Sequence, residues 1–265
     1  MPPLLTLLTD FGRDDWYVAA VKGAVLSGAP WVTIVDLAHD LPPGDVETAS
    51  FLLSAAARSF PPGTVHLAVV DPGVGGPRRM LALEAPAPEG PSIFLAPDNG
   101  LLEPFLSAGR AVSIERSDLY SNNPGNTFHG RDRFAPVAAF LLRGGAFDSL
   151  GPAVADPVRL EIPSPRRGPA HLSGRIAHVD RYGNLVTDLP SGWLGEATVL
   201  QVFFGEPNAA RSVRRVSCYA ELEPGEPGLL AGSLGTIELS FRSESLAETW
   251  RAKRGDRVEI ELELK

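Results

Sequence analysis

Only one cysteine, Cys218, occurs in the 265 residues. A single thiol excludes an internal disulfide and any thiolate-rich zinc site, and its ordinary place is that of a small hydrophobe on a strand. Lysine is nearly as scarce. Three lysines stand against twenty-one arginines, no basic run is longer than Arg166-Arg167 or Arg214-Arg215, and the formal net charge is −8. Nucleic-acid binding rests on a clustered Lys/Arg surface, so this balance argues against a phosphate-backbone partner. Long hydrophobic runs are missing too. The apolar stretch near the N-terminus has no Lys or Arg before it and is closed by Asp10, which fits neither a secretory signal nor a membrane span. The expected location is the cytoplasm. Hydrophobic residues at 44% and charged residues at 21% are the composition of a globular protein, and the length allows two domains.

Apolar runs at 4–8, 31–35 and 64–70 alternate with segments of helical period at 15–27 and 45–58. In the second of these Val46, Ala49, Leu52, Leu53 and Ala56 form a buried stripe. Such alternation predicts strand–helix–strand units and an α/β domain with a mainly parallel central sheet. Further strands are expected at Met80 to Glu84 and Ser92 to Ala96, a short helix at Gly100 to Leu106, and a last helix at Phe134 to Arg143. From Pro152 to Pro169 five prolines interrupt the pattern, which marks a linker. After it, runs at Leu172–Val179, Leu185–Asp188, Val199–Phe204, Val213–Cys218, Thr236–Phe241 and Arg257–Leu264 predict a smaller all-β domain, sandwich or barrel. The division expected is 1–163 and 170–265.

The densest chemistry lies in Asp71-Pro-Gly-Val-Gly-Gly-Pro-Arg78, directly after the run Val65–Val70. A buried strand that ends in a carboxylate and enters a glycine-rich loop is how α/β enzymes build a site. The best third partner is His129, in Thr127-Phe-His-Gly-Arg-Asp132. A carboxylate, a guanidinium and an imidazole can activate a water molecule, and either Asp71 or His129 can be its base. Asp10 ends the first strand, where it either caps the following helix or accepts the two hydroxyls of a ribose. Asp14, Asp15, Asp36, His39, Asp40 and Asp45 are potential ligands, but no metal-binding spacing joins them, so no metal site is expected and His39 is read as ordering its loop. Asp98-Asn-Gly100 reads first as a turn and second as a site candidate. In the β domain Asp180 and Asn184 bracket a five-residue turn and offer a carboxylate and an amide suited to an amino acid, while Gly232-Ser233-Leu-Gly235 is a similar loop with a hydroxyl.

These segments, in this order, resemble the S-adenosylmethionine hydroxide adenosyltransferases, relatives of the fluorinating and chlorinating enzymes that act on the same substrate. The resemblance is carried by Leu8-Thr-Asp-Phe-Gly12, Lys22-Gly23, Val35-Asp36 with His39-Asp40, Pro43-Gly-Asp-Val-Glu47, Val70-Asp-Pro-Gly-Val-Gly75 with Arg78, Ala96-Pro-Asp-Asn-Gly-Leu-Leu102, Thr127 to Asp132, and His178-Val-Asp-Arg-Tyr-Gly-Asn184. It implies hydrolysis of S-adenosyl-L-methionine to adenosine and L-methionine, with neither metal nor cofactor. The water-placing residues would be Asp71, Arg78 and His129. Substrate would be held by Asp10 at the ribose, by Phe128, by Asp180 and Asn184 at the amino acid, and by Ser233. It also implies a homotrimer, with each site at the junction of one subunit's first domain and its neighbour's second.

The halogenating relatives carry a Tyr where this chain has Asp71 and a small hydroxyl residue where it has Gly130, which disfavours a halogenase. Two departures from the family pattern are Gly44, where the relatives place an aromatic residue over the ribose, and Arg242-Ser243, where asparagines are usual. Two other classes remain as alternatives. The acidic Leu8 to Asp15 segment after a first strand also suits a metal-dependent phosphohydrolase, and the same residues would serve a non-catalytic S-adenosylmethionine or nucleoside binder.

Overall fold

The structure is a computed structural model that describes residues 3–86, 90–197, 199–204 and 210–262. It divides into two compact units, Met1–Glu161 and Ile162–Lys265. In the first, β1 (Leu4–Thr9), α1 (Tyr17–Gly28), β2 (Thr33–Ala38), α2 (Val46–Ala57) and β3 (Val65–Val69) form two successive strand–helix–strand units. β1 lies between β2 and β3 and is parallel to both. From there on, among the described residues, no α-helix separates the strands: β4 (Met80–Ala85), β5 (Ser92–Pro97) and β6 (Arg110–Ser113) follow one another, and a five-residue π turn, Gly130–Phe134, leads into α3 (Ala135–Leu142).

The six strands run in the order β2-β1-β3-β5-β4-β6. β5 is parallel to β3, whereas β4 is antiparallel to both β5 and β6. The sheet is therefore mixed, which corrects the expected mainly parallel one. Parallel neighbours need a long crossover, and the short connection from β4 to β5 folds the chain back into an antiparallel pair instead. The strand β6, unexpected from the sequence, is a four-residue edge segment that begins on an exposed arginine. The region expected to be helical at Gly100–Leu106 holds one 3-10 turn, Glu103–Phe105.

Both faces of the sheet are covered. Alternate residues of β1 and β3, Leu5, Leu7, Leu67 and Val69, pack against Val21 and Val25 of α1 and Val137 and Ala138 of α3. Their neighbours Leu8, Ala68 and Val70 pack with Ala49 and Leu53 of α2. Burial on two sides explains why these strands read as continuous apolar runs rather than alternating ones. Asp45 caps α2, its carboxylate accepting from Thr48 N at 3.1 Å, where the Pro-Pro-Gly-Asp stretch predicts a helix start.

The second unit contains β7 (Arg166–Arg167), β8 (His171–Val179), β9 (Leu185–Pro190), β10 (Val199–Phe204), β11 (Ala210–Arg215), β12 (Gly228–Ala231), β13 (Thr236–Ser240), the short helix α4 (Leu246–Trp250) and β14 (Arg257–Leu262). Strand order is β14-β10-β11-β12-β13-β9-β8-β7, and β14 also pairs with β8. That last pairing closes the sheet into a barrel around Leu172, Leu185, Val202, Val213, Leu239 and Ile260. β11 lies three residues before its expected start, and β12 is too short to stand out between Pro227 and Gly232. The last two residues of the expected run to Leu264 lie outside the described residues.

His66 on β3 is 1% exposed, is joined to Thr6 Oγ1 through Nδ1 at 2.8 Å and is stacked on Phe94 at 4.6 Å. Burial pulls its pKa down to about 4. Below pH 6.5 the unfolded chain binds a proton that the folded one refuses until about pH 4, so stability complete above 6.5 is lost as the pH falls through this window. The full effect is about 3 kcal/mol. Urea unfolding from pH 7.5 to 4.5 should show this decline, and His66→Gln should flatten it; an identical slope in the variant would assign the acid sensitivity to other groups.

Candidate active site

Two carboxylates occupy the same end of neighbouring strands. Thr9 at the end of β1 is paired with Val69 at the end of β3, so Asp10 and Asp71 follow at one edge of the sheet. Ligands of α/β sheets gather there, outside the carboxyl ends of the strands. Asp10 does not cap α1, which starts seven residues later behind Trp16 and has no side-chain cap. Its Oδ2 instead accepts from Gly44 N at 2.8 Å. Gly44 adopts φ +74°, and a Cβ there would lie 3.6 Å from Pro72, the residue after Asp71. The loops after β1, β2 and β3 thus meet around Asp10.

Arg78 returns from the glycine-rich loop onto Asp71. Its Nε donates to Asp71 Oδ1 at 2.9 Å and Oδ2 at 2.8 Å, and its Nη2 donates to Oδ2 as well. The two side chains are 11% and 4% exposed, so the pair is largely desolvated and both partners depend on it. The loop needs its glycines: Gly75 has φ +80°, and a Cβ there would meet the carbonyl oxygen of Asn126 at 2.7 Å.

The same Nη2 lies 2.7 Å from His129 Nδ1. A guanidinium can only donate, so Nδ1 is the acceptor and the ring proton resides on Nε2. His129 is 2% exposed. Burial, then the nearby charges of Arg133 and Arg78, lower its pKa to about 4 against the opposing pull of Asp71 and Asp132. The ring is neutral at pH 7, and its buried Nε2 has no hydrogen-bond partner among the described residues. His129 immediately precedes the π turn, a local widening common at functional positions. Asp132 secures that turn by accepting from Gly125 N at 2.9 Å and from Arg131. Phe128 is a wall rather than an open contact: it is 8% exposed and meets Phe11, Trp16 and Tyr17 edge-on, with the Arg131 guanidinium 4.9 Å over its ring.

The acidic stretch near the N-terminus has structural partners. His39 is buried, hydrogen-bonded through Nδ1 to Thr9 Oγ1 at 2.8 Å, and its Nε2 faces Asp36 at 3.1 Å, which in turn accepts from Lys22 Nζ at 2.6 Å. His39 therefore orders the loop after β2, and its carbonyl accepts from Gly12 N at 2.8 Å. Among the described residues no three His, Cys, Asp or Glu side chains converge as a metal ion's ligands would.

In the barrel unit, Asp180 Oδ1 accepts from Tyr182 N at 2.8 Å and Asn184 N at 2.9 Å, and Oδ2 accepts from Asn184 Nδ2 at 2.8 Å. Ser240 Oγ donates to Asn184 Oδ1. Asp180 and Asn184 line one cavity of about 720 Å³ with Tyr182, Tyr219, Ser240 and Arg242. Among the described residues Arg242 is the only cation in its lining, and sequence reasoning did not select it because the arginine stands where the family pattern has asparagine. Tyr219 was missed for want of any motif; its hydroxyl donates to Glu238 at 2.5 Å. Ser233 does not join this group. The β9–β13 register pairs Leu185 with Leu239 and Pro190 with Thr236, so Asn184 lies at the Ser240 end of β13 and Ser233 beyond the other end.

An α/β unit with an ion-paired carboxylate and a neutral buried histidine at its strand ends, followed along the chain by a small β barrel, defines a two-unit enzyme class with a polar candidate site in its first unit. Residues 5–151 match the SAM hydroxide adenosyltransferase N-terminal domain, and residues 174–259 match the C-terminal domain of the same family. The chain belongs to that family. It is 35% identical to the (R)-S-adenosyl-L-methionine hydrolase of Salinispora tropica, over 97% of each chain. It is 37% identical to the protein of the same name from Thermus thermophilus, over 96% of this chain and 97% of that one. A fluorinase of Actinoplanes is 29% identical over 97% of each. Among solved structures, an uncharacterized conserved protein from Thermotoga maritima superposes with a TM-score of 0.90 at 30% identity, covering 97% of this chain and 99% of that one.

Nitrogen-15 NMR should find His129 protonated on Nε2 alone and neutral from pH 8 down to about pH 5. An imidazolium that grows in near pH 6.5 would contradict the Arg78 contact.

Proposed function

We propose that the chain hydrolyses S-adenosyl-L-methionine to adenosine and L-methionine by in-line attack of water on the ribose C5′. The observation that supports this most is the Arg78 guanidinium, which donates to both Asp71 and His129 beside Asp10. The sulfonium leaves as a neutral thioether, so departure needs neither an acid nor a Lewis-acid metal, and no cofactor takes part. The demand is on the nucleophile. Water has a pKa of about 15.7 and must be held about 3 Å from C5′ and relieved of charge as it attacks.

Among the described residues Asp71 Oδ1 meets only the Arg78 Nε–H and so retains a lone pair, which accepts a proton of the attacking water. His129 offers Nε2–H to one lone pair of that water, leaving the other aimed at carbon. Asp71 is then the proton acceptor and His129 an orienting donor, an assignment supported by the Arg78 contact to Nδ1. A C–O bond forms, the C–S bond breaks, and the released proton passes through Asp71 to solvent. Asp10 accepts the ribose hydroxyls. The methionine ammonium and carboxylate are assigned to Asp180 and Arg242 with Asn184, in the barrel cavity of a neighbouring subunit of a trimer. The support for that division is the family resemblance and the placing of the two residue sets on separate units. A cytoplasmic location follows the chain's composition; among the described residues no helix is long and apolar enough to cross a membrane.

Turnover in oxygen-18 water should place the label in the 5′-hydroxyl of adenosine and persist in chelator. Loss of activity to chelator would favour the phosphohydrolase, and binding without turnover a sensor. Asp71→Asn should lower kcat by about a hundred- to a thousandfold while substrate binding changes little; a variant within a few-fold of the parent would make Asp71 structural. His129→Ala and Asn184→Ala, each inactive alone, should regain part of the activity when mixed and reassembled, and no recovery in exchanged oligomers would place the site within one chain.

A further inference from the structure

The strand order places β5 between β3 and β4, so the segment 70–79 that joins β3 to β4 must arch over the carboxyl end of β5. Asp71 and Arg78 stand at the two feet of this arch, and the turn at the tip of β5 is Asp98-Asn99. Both feet are fastened to that turn. Asn99 Nδ2 donates to the carbonyl of Val70 at 2.8 Å, one residue before Asp71. On the other side Asp98 N donates to the carbonyl of Arg79 at 3.0 Å, and Arg79 Nε donates to Asp98 Oδ2 at 2.7 Å, one residue after Arg78. The turn itself is held: Asn99 Oδ1 accepts from Leu101 N at 3.2 Å, and Asp98 Oδ1 accepts from Val158 N at 2.8 Å. The Asp98 side chain is 2% exposed, far beyond what an ordinary turn aspartate requires.

We infer that Asp98 and Asn99 are positioning residues for the reaction centre, setting the separation of Asp71 and Arg78 by fastening the backbone at each foot of their loop. The arch has two turn hydrogen bonds of its own, from Val74 N to the Asp71 carbonyl at 3.2 Å and from Gly76 N to the Gly73 carbonyl at 3.0 Å, and neither ties one foot to the other. A planar two-point contact between guanidinium and carboxylate tolerates little displacement. The two fixings at the tip of β5 hold both feet to one turn, which the arch's own turns do not do. This inference rests on the proposed role of Asp71 and Arg78, and its test separates the two.

Asn99→Asp turns a donor to the Val70 carbonyl into an acceptor at almost unchanged size, and Asn99→Leu removes the donor without adding charge. Both should lower kcat by about a hundredfold, the scale of an ångström's misplacement, while KM and the adenosine dissociation constant stay within about twofold. Asp156→Ala removes the exposed second partner of Arg79 and should leave turnover unchanged. The Arg78 Nε–H, bonded to both oxygens of Asp71, should exchange slowly with solvent in nitrogen-15 NMR of the parent and quickly in both Asn99 variants, with the Arg116 Nε–H unaffected. Unchanged Arg78 exchange, or a parallel loss of adenosine binding and kcat, would reduce Asn99 to a structural turn residue. A parent protein without turnover would refute the proposed reaction alone, because the exchange measurement still decides the role of Asn99.

Discussion

The arrangement depends on one guanidinium. Arg78 has donors only, and it faces a carboxylate on one side and an imidazole nitrogen on the other. Its charge keeps Asp71 paired in a nearly dry setting, and its geometry dictates which nitrogen of His129 carries the proton. Charge, tautomer and direction of the three side chains are thereby set together. The fold serves this contact at both ends: the β1–β3 register brings Asp10 and Asp71 to one edge, and the π turn carries His129 down to meet Arg78.

The neighbouring polar groups divide by what they hold. Asp10 retains capacity beyond the Gly44 amide and is half-buried, as suits a group that meets ligand. His39, Asp36 and Asp132 are spent on loops, their partners being Thr9, Lys22 and the Gly125 amide. Lys22 and His39 both hold the Asp36 carboxyl below its usual range in spite of partial burial. This separation of bonded scaffold from open groups gives a reason for so many carboxylates near one strand edge without a cluster of metal ligands among the described residues.

Much of the candidate site is legible in the chain itself. A buried strand closed by Asp71 and a triple-glycine loop, and a histidine between Phe128 and Gly130, are local patterns that point to it. Ser233 shows the opposite case. A hydroxyl between two glycines looks like a binding loop, yet strand register sends it to the far end of β13 from Asn184. Arg242 went unselected because it departs from the family's pattern, although among the described residues it brings the one cation into the cavity. Asp98 and Asn99 read as a turn, which they are; their reach to Val70 and Arg79 depends on which strand lies beneath the arch.

The sequence by itself determined the α/β and all-β halves, the helices and most strands, and the choice of Asp71, Arg78 and His129 as candidates. These follow from residue periodicity and chain-local turn chemistry, which act over a few positions. The tertiary structure alone decided the reversed direction of β4, the closing of the barrel by β14 against β8, and the protonation state of His129. Each of these is a contact between residues far apart in the chain: Arg78 and His129 are separated by 51 positions. No local pattern records which donors and acceptors the folded chain will place side by side.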